Sequence, residues 1–295
     1  MPRGLCLVLV MLLTGCSATA PPMSTPAPVA STTPPAASAK PSPAPSRSTP
    51  ARTTTPATAS TKPSATSASG SGSPSVIGKP LAGRTIVVDP GHNGVWTKAL
   101  NRQVPAGNGR TKACNSSGTA GGTFAEHAFT WATGQQLVAR LRGLGAEVVL
   151  TRPNDTGSGP CVNVRAARTN AAHADLLVSL HADGNLAKGA RGYHIIVSST
   201  MIGGAGVERR SLALARDLRA RLDATGTMPR STYIGGGTAI HARTDIAGLN
   251  LIEVPGVMLE LGNMRNATDL ALQRSPAWRA TVAKALAAGV VDALT

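Results

Sequence analysis

Four side chains suited to hydrolytic chemistry sit where apolar runs end. In "RTIVVDPGHNGV" the β-branched run Ile86, Val87, Val88 breaks at Asp89-Pro90-Gly91 and presents His92. "DLLVSLHADG" carries His181 at the end of a second apolar run, and "VPGVMLELGNMRN" places Glu260 between Leu259 and Leu261. Glu126 follows a glycine pair in "GGTFAEHAFTW". Loops at the ends of rigid strands are where binding and catalytic groups concentrate. A carboxylate among apolar neighbours is costly to bury unless it is paired or holds a metal. Two imidazoles with one carboxylate form a ligand set of catalytic zinc, with a fourth position open for water. A second carboxylate beside them suits a general base that takes the water's proton and then returns it. At this level the roles of Glu126 and Glu260 stay open. The chain has no H-E-x-x-H and no G-x-S-x-G, so it lacks the signatures of a zincin helix and of a serine-hydrolase elbow.

The elements that must position these groups follow from the apolar patterning. Strand-like runs recur at 84–89, 146–151, 175–181, 192–198 and 256–261. Helical spacing fills 124–142, 164–173, 207–222 and 276–294. The glycine-rich stretches 201–206 and 235–237 are expected to be loops. Strands alternating with helices predict a single α/β domain: a mostly parallel, twisted sheet flanked by helices. In such sheets ligands bind at the carboxyl ends of the strands, where His92 and His181 fall.

Five segments, in this order, carry a resemblance: "IVVDPGHNG", "GTFAEHAF", "VVLTRPNDT", "VNVRAARTNAAHADLLVSLHADG" and "GVMLELGNMRN". Over about residues 84–293 the chain resembles the zinc-dependent N-acetylmuramoyl-L-alanine amidases, the amidase type 3 domains that trim bacterial peptidoglycan. It is most similar to their short mycobacterial and actinobacterial members. The resemblance implies one Zn2+ held by His92, Glu126 and His181, with Glu260 as the catalytic acid–base. The implied reaction is hydrolysis of the amide joining N-acetylmuramic acid to L-alanine. Asp89 is expected to shape the turn or support His92. His127, adjacent to Glu126, points about 100° away on a helix and is not expected to be a ligand. Arg243, in "HARTDIAGLNL", is expected either to grip a stem-peptide carboxylate or to form a structural salt bridge. His173, His194 and His241 have no motif support. The span from 198 to 254 is too short for a helical plug over the site, so an open enzyme is expected. Two other readings share these residues: a muropeptide-binding lipoprotein that does not cut, and a zinc peptidase acting within the stem peptide.

The chain ends speak to location. Residues 1–15 have a charged start at Arg3 and a nine-residue apolar run, which fits an export signal and is too short to span a membrane. Leu13-Thr14-Gly15-Cys16 resembles a bacterial lipobox, which implies lipidation at Cys16 and a membrane anchor facing the cell wall. Residues 16–80 are rich in Pro, Ser, Thr and Ala and are expected to be a disordered tether. Residues 81–295 are the expected catalytic domain. The formal charge is +15, but six of the 29 basic residues and none of the 14 acidic ones precede residue 80, leaving the domain at +9. That balance suits anionic cell-wall polymers or lipid head groups. Export and the scarcity of aromatics argue against nucleic acid. Cys114 and Cys161, an even pair in an exported domain, are expected to form a disulfide. The partners expected are peptidoglycan fragments and a membrane, with the protein acting as a monomer.

Overall fold

The computed structural model describes residues 78–295. The expected signal peptide, Cys16 and nearly all of the expected tether lie outside these residues. The described chain runs β1 (Thr85–Pro90), β2 (Gln103–Gly107), β3 (Arg110–Ala113), β4 (Ala120–Gly121), β5 (Phe124–Ala125), α1 (Glu126–Gly143), β6 (Glu147–Leu150), α2 (Val162–Ala171), β7 (Leu176–Asp183), β8 (His194–Ser198), α3 (Gly204–Asp223), β9 (Ile240–Arg243), α4 (Ala247–Asn250), β10 (Gly256–Asn263), α5 (Ala267–Arg274) and α6 (Pro276–Leu294). Six strands form one sheet in the order β6-β1-β7-β10-β8-β9. β1 is parallel to β6 and β7, and β7 is parallel to β10. β8 turns antiparallel against β10, and β9 runs parallel to β8.

The period-2 alternation of each strand divides the sheet into two unlike faces. Ile86, Val88, Leu176, Val178, Leu180, Val257, Leu259 and Ile195 point into the main core, against Phe129 and Leu137 of α1, Leu214 and Leu218 of α3, and Val282 and Leu286 of α6. The intervening residues face the other way. Val87, Leu177 and Ile196 there make a smaller core with Ala166 of α2 and Leu249 of α4. Further along the same strands, this face turns polar: Asp89, Ser179, His181, Glu260 and His194. These strand residues therefore share one face, near the carboxyl ends of β1, β7 and β10, and His92 and Glu126 come to the same end from the loop after β1 and the start of α1.

Several boundaries differ from the sequence reading. β9 was not foreseen, because "IHAR" is a short polar-rich edge stretch. α1 starts at Glu126 and not at 124, since Phe124–Ala125 pairs with Ala120–Gly121 in a small ribbon. α3 begins at Gly204, inside the stretch expected to be a loop. α5 was also missed; the Asn266 side chain caps it by accepting from the Thr268 and Asp269 amides. Cys114 and Cys161 are bonded, tying the end of the β2–β3 hairpin to the start of α2.

Candidate active site

His92 leaves β1 with φ 61°, a left-handed conformation that is unfavourable for a side-chain-bearing residue and needs a surrounding frame. Arg165, buried on α2, supplies much of it. Its guanidinium donates to the Asp89 carboxylate at 2.7 Å, to the Pro90 carbonyl at 2.8 Å, to the His92 carbonyl and to the Asn93 side chain at 2.6 Å. The imidazole Nδ1 donates to the Ser116 carbonyl at 3.1 Å. Because a carbonyl only accepts, Nδ1 carries the proton and Nε2 offers a lone pair.

Two further polar atoms converge on His92 Nε2. His92 Nε2 lies 2.9 Å from Glu126 Oε1, and His181 Nδ1 lies 3.0 Å from the same oxygen and 3.1 Å from His92 Nε2. Glu126 is the first residue of α1, where the helix end favours an anion. Its oxygens accept from the backbone amides of Ala182 and Thr119 at 3.0 and 2.9 Å. Burial alone would raise the Glu126 pKa, but His92 and His181 outweigh it and hold the carboxyl well below the usual range. Close approach depends on glycine: a Cβ at Gly91 would stand 2.3 Å from the His181 ring. The donor set is two imidazole nitrogens and one carboxylate oxygen, all mutually within 4.8 Å. Two imidazole nitrogens and a carboxylate oxygen drawn this close can all be satisfied at once by a single cation. The residues fit zinc.

Asp89 stays outside this cluster. Its carboxylate is taken by Arg165, Thr151 and Ser179. Burial would raise its pKa, but the Arg165 charge and the two hydroxyls bring it down to about 2. His127 also turns away, donating to Asp155 at 3.0 Å, while Arg152 joins the same carboxylate at 2.8 Å.

Glu260 stands beside His181 in the β7–β10 register and lines a cavity of about 420 Å³ together with the three clustered residues, Lys112 and Asp183. Burial first, then the charges of Glu126 and Asp183, push its pKa well above the ordinary carboxylate value, and Arg243 acts in the opposite sense. Arg243 is paired with Asp245, at 2.8 Å from Nε, so the structure contains the salt bridge that was one of its two expected roles. Three groups near Glu260 were not picked out from sequence: Asp183, Tyr233, whose hydroxyl donates to Asp183 at 2.9 Å, and His194 on β8. They come from separate strands and loops, and only the sheet register brings them together.

Comparison with known proteins gives a consistent result. A family model described as N-acetylmuramoyl-L-alanine amidase matches residues 86–292. The chain is 44% identical over 215 residues to N-acetylmuramoyl-L-alanine amidase Rv3717 of Mycobacterium tuberculosis, covering 72% of this chain and 88% of that one. The crystal structure of the N-acetylmuramyl-L-alanine amidase Ami1 from Mycobacterium smegmatis is similar with a TM-score of 0.69 at 42% identity, over 72% of this chain and 98% of that chain. The apo form of Ami1 from Mycobacterium abscessus gives the same TM-score and identity over 73% and 100%.

Proposed function

The chain belongs to the N-acetylmuramoyl-L-alanine amidase family, and from that premise we propose that one zinc ion, held by His92, Glu126 and His181, works with Glu260 as general base. The activity itself is hydrolysis of the bond between N-acetylmuramic acid and L-alanine in peptidoglycan. The observation that carries the finer reading is the convergence of His92 Nε2, Glu126 Oε1 and His181 Nδ1 beside a cavity that Glu260 also lines.

When bound, zinc supplies a Lewis acid for the scissile carbonyl and lowers the pKa of water. The residues do the rest. His92, fixed by Ser116 and Arg165, presents a neutral nitrogen. Glu126, charged and held by two backbone amides, keeps its oxygen aimed at the same point. Glu260 takes a proton from the attacking water as the water oxygen bonds to the carbonyl carbon. It then gives that proton to the alanine nitrogen as the C–N bond breaks, leaving the lactyl carboxylic acid and a free amine. Arg243, whose charge acts on Glu260 and which is already bound to Asp245, is proposed to meet a stem-peptide carboxylate with the donors it has left.

We place the enzyme outside the cytoplasm, anchored through Cys16, on the strength of the lipobox resemblance. No helix among the described residues is long and apolar enough to cross a membrane.

The test is hydrolysis of a muramoyl peptide by the purified chain with zinc, read by mass spectrometry. Free N-acetylmuramic acid and an intact peptide beginning with L-alanine are expected, and both should vanish with chelator. Glu260→Gln should lower kcat by about 10²-fold or more, the scale of a lost general base. Cuts inside the peptide would discard the assigned bond, and full activity of Glu260→Gln would discard its role.

A further inference from the structure

His194 is a buried imidazole that the mechanism so far leaves idle. It is the first residue of β8 and 2% exposed. In the antiparallel ladder it stands directly opposite Glu260, which in turn stands directly opposite His181 on β7. Directly paired residues share a face, with Cβ atoms about 4.5–5.5 Å apart in an antiparallel pair. His181, Glu260 and His194 thus form one row across three strands, with the base in the middle.

Two orphaned atoms occur in this row. His194 Nδ1 and Glu260 Oε2 are both buried and both lack a hydrogen-bond partner. A buried polar atom left unpaired is costly, and one in a native structure calls for an explanation. They are not bonded to each other here, but an imidazole N–H and a carboxylate oxygen on directly opposed positions have complementary needs that a turn of the side chains would meet. His194 does not line the cavity that Glu260 lines, so it is placed to act on Glu260 and not on substrate. Tyr233 packs edge-on against its ring, with centroids 6.2 Å apart, and limits where the ring can turn. The charged or titratable groups around it are Glu260 opposite, Tyr233 against its ring, and Asp183, His241 and Arg243. Burial above all, helped by His241 and Arg243 and opposed by Asp183, holds its pKa at about 4. At neutral pH it is therefore an uncharged ring with one N–H to give.

We propose that His194 is a positioning residue for the general base: its Nδ1–H fixes Oε2 of Glu260 and so turns the other carboxylate oxygen toward the attacking water. The proposal rests on the reading of Glu260 as the base. Substituting His194 separates the ring's shape from its donor. Asparagine sets an amide N–H near the place of Nδ1, whereas phenylalanine keeps a ring and has no donor. Steady-state kinetics of the zinc-loaded full chain on a muramoyl peptide, with zinc content and Tm of each variant, make the test. His194→Phe should lower kcat about tenfold or more with KM within about twofold and zinc content retained, and His194→Asn should recover kcat to within about threefold of wild type. Wild-type kcat in His194→Phe would overturn the proposal, as would equal losses in the two variants. A wild-type chain that does not cut the peptide would instead remove the assigned role of Glu260. The contact is then read by nitrogen-15 NMR: Glu260→Ala shifts the His194 Nδ1 resonance if the pair exists, and an unmoved resonance refutes it.

Discussion

At the scale of single residues, the candidate site depends on positions where substitution has no room. Gly91 is one. A methyl group there would occupy the space of the His181 ring, and that ring cannot retreat without leaving Glu126. Gly91→Ala should weaken zinc binding by about 10–100-fold, the range found when support around metal ligands is lost. A competition titration against a chelator measures it, and unchanged affinity would show that the ring has slack. Asp89 makes a second case. Its pKa is depressed in the fold, so it stabilises above the unfolded carboxylate pKa and loses that contribution as pH falls toward about 2. The shift from 3.8 to about 2 corresponds to about 2 kcal/mol at neutral pH. Urea unfolding between pH 6 and pH 2 should show wild type losing more stability than Asp89→Asn. The four chemistry-bearing residues were legible in sequence because each sits in a local pattern, an apolar run ending in His or enclosing Glu. Arg165, Tyr233 and His194 were not, because what they touch lies far along the chain and is brought near only by the fold.

At the scale of elements, the alternating strands and long helices could be read because their periods run over many residues. The edge strand β9 and the turn of direction at β8 could not. An antiparallel strand after a run of parallel ones has the same apolar content, and nothing within "HIIVS" records its orientation. That reversal brings the first residue of β8 level with Glu260. The layer behind the sheet is also tight. At the crossing of α3 and α6, a Cβ on Gly289 would stand 2.9 Å from a Leu218 methyl and 3.0 Å from its Cα. Gly289→Val should cost about 1–3 kcal/mol by overpacking, measured by chemical denaturation, with zinc content unaffected because the crossing is on the face away from the metal ligands.

At the scale of the whole molecule, the segment between β8 and β10 holds α3, β9 and α4, and a cavity of about 420 Å³ is lined by His92, Glu126, His181 and Glu260. The purified chain should reach full activity alone; a large stimulation by an added activator protein would contradict this. The disulfide bears on the chain as a whole in another way. Cys114 stands two residues before Ser116, which accepts from the imidazole of His92, and Cys161 stands four residues before Arg165, which grips the His92 carbonyl. One covalent bond thus fastens together both hands that hold His92. In the chain-entropy model, closing a loop with a sequence separation of 47 is worth about 4 kcal/mol, but here the bond also spans the ligand's supports. A thiol-reduced chain should therefore hold zinc more loosely than the oxidised one, a difference that chelator competition with and without reductant would register. Cytosol keeps thiols reduced and the compartments beyond it do not. A hydrolase able to cut its own cell's wall would then be made blunt and sharpened only after export.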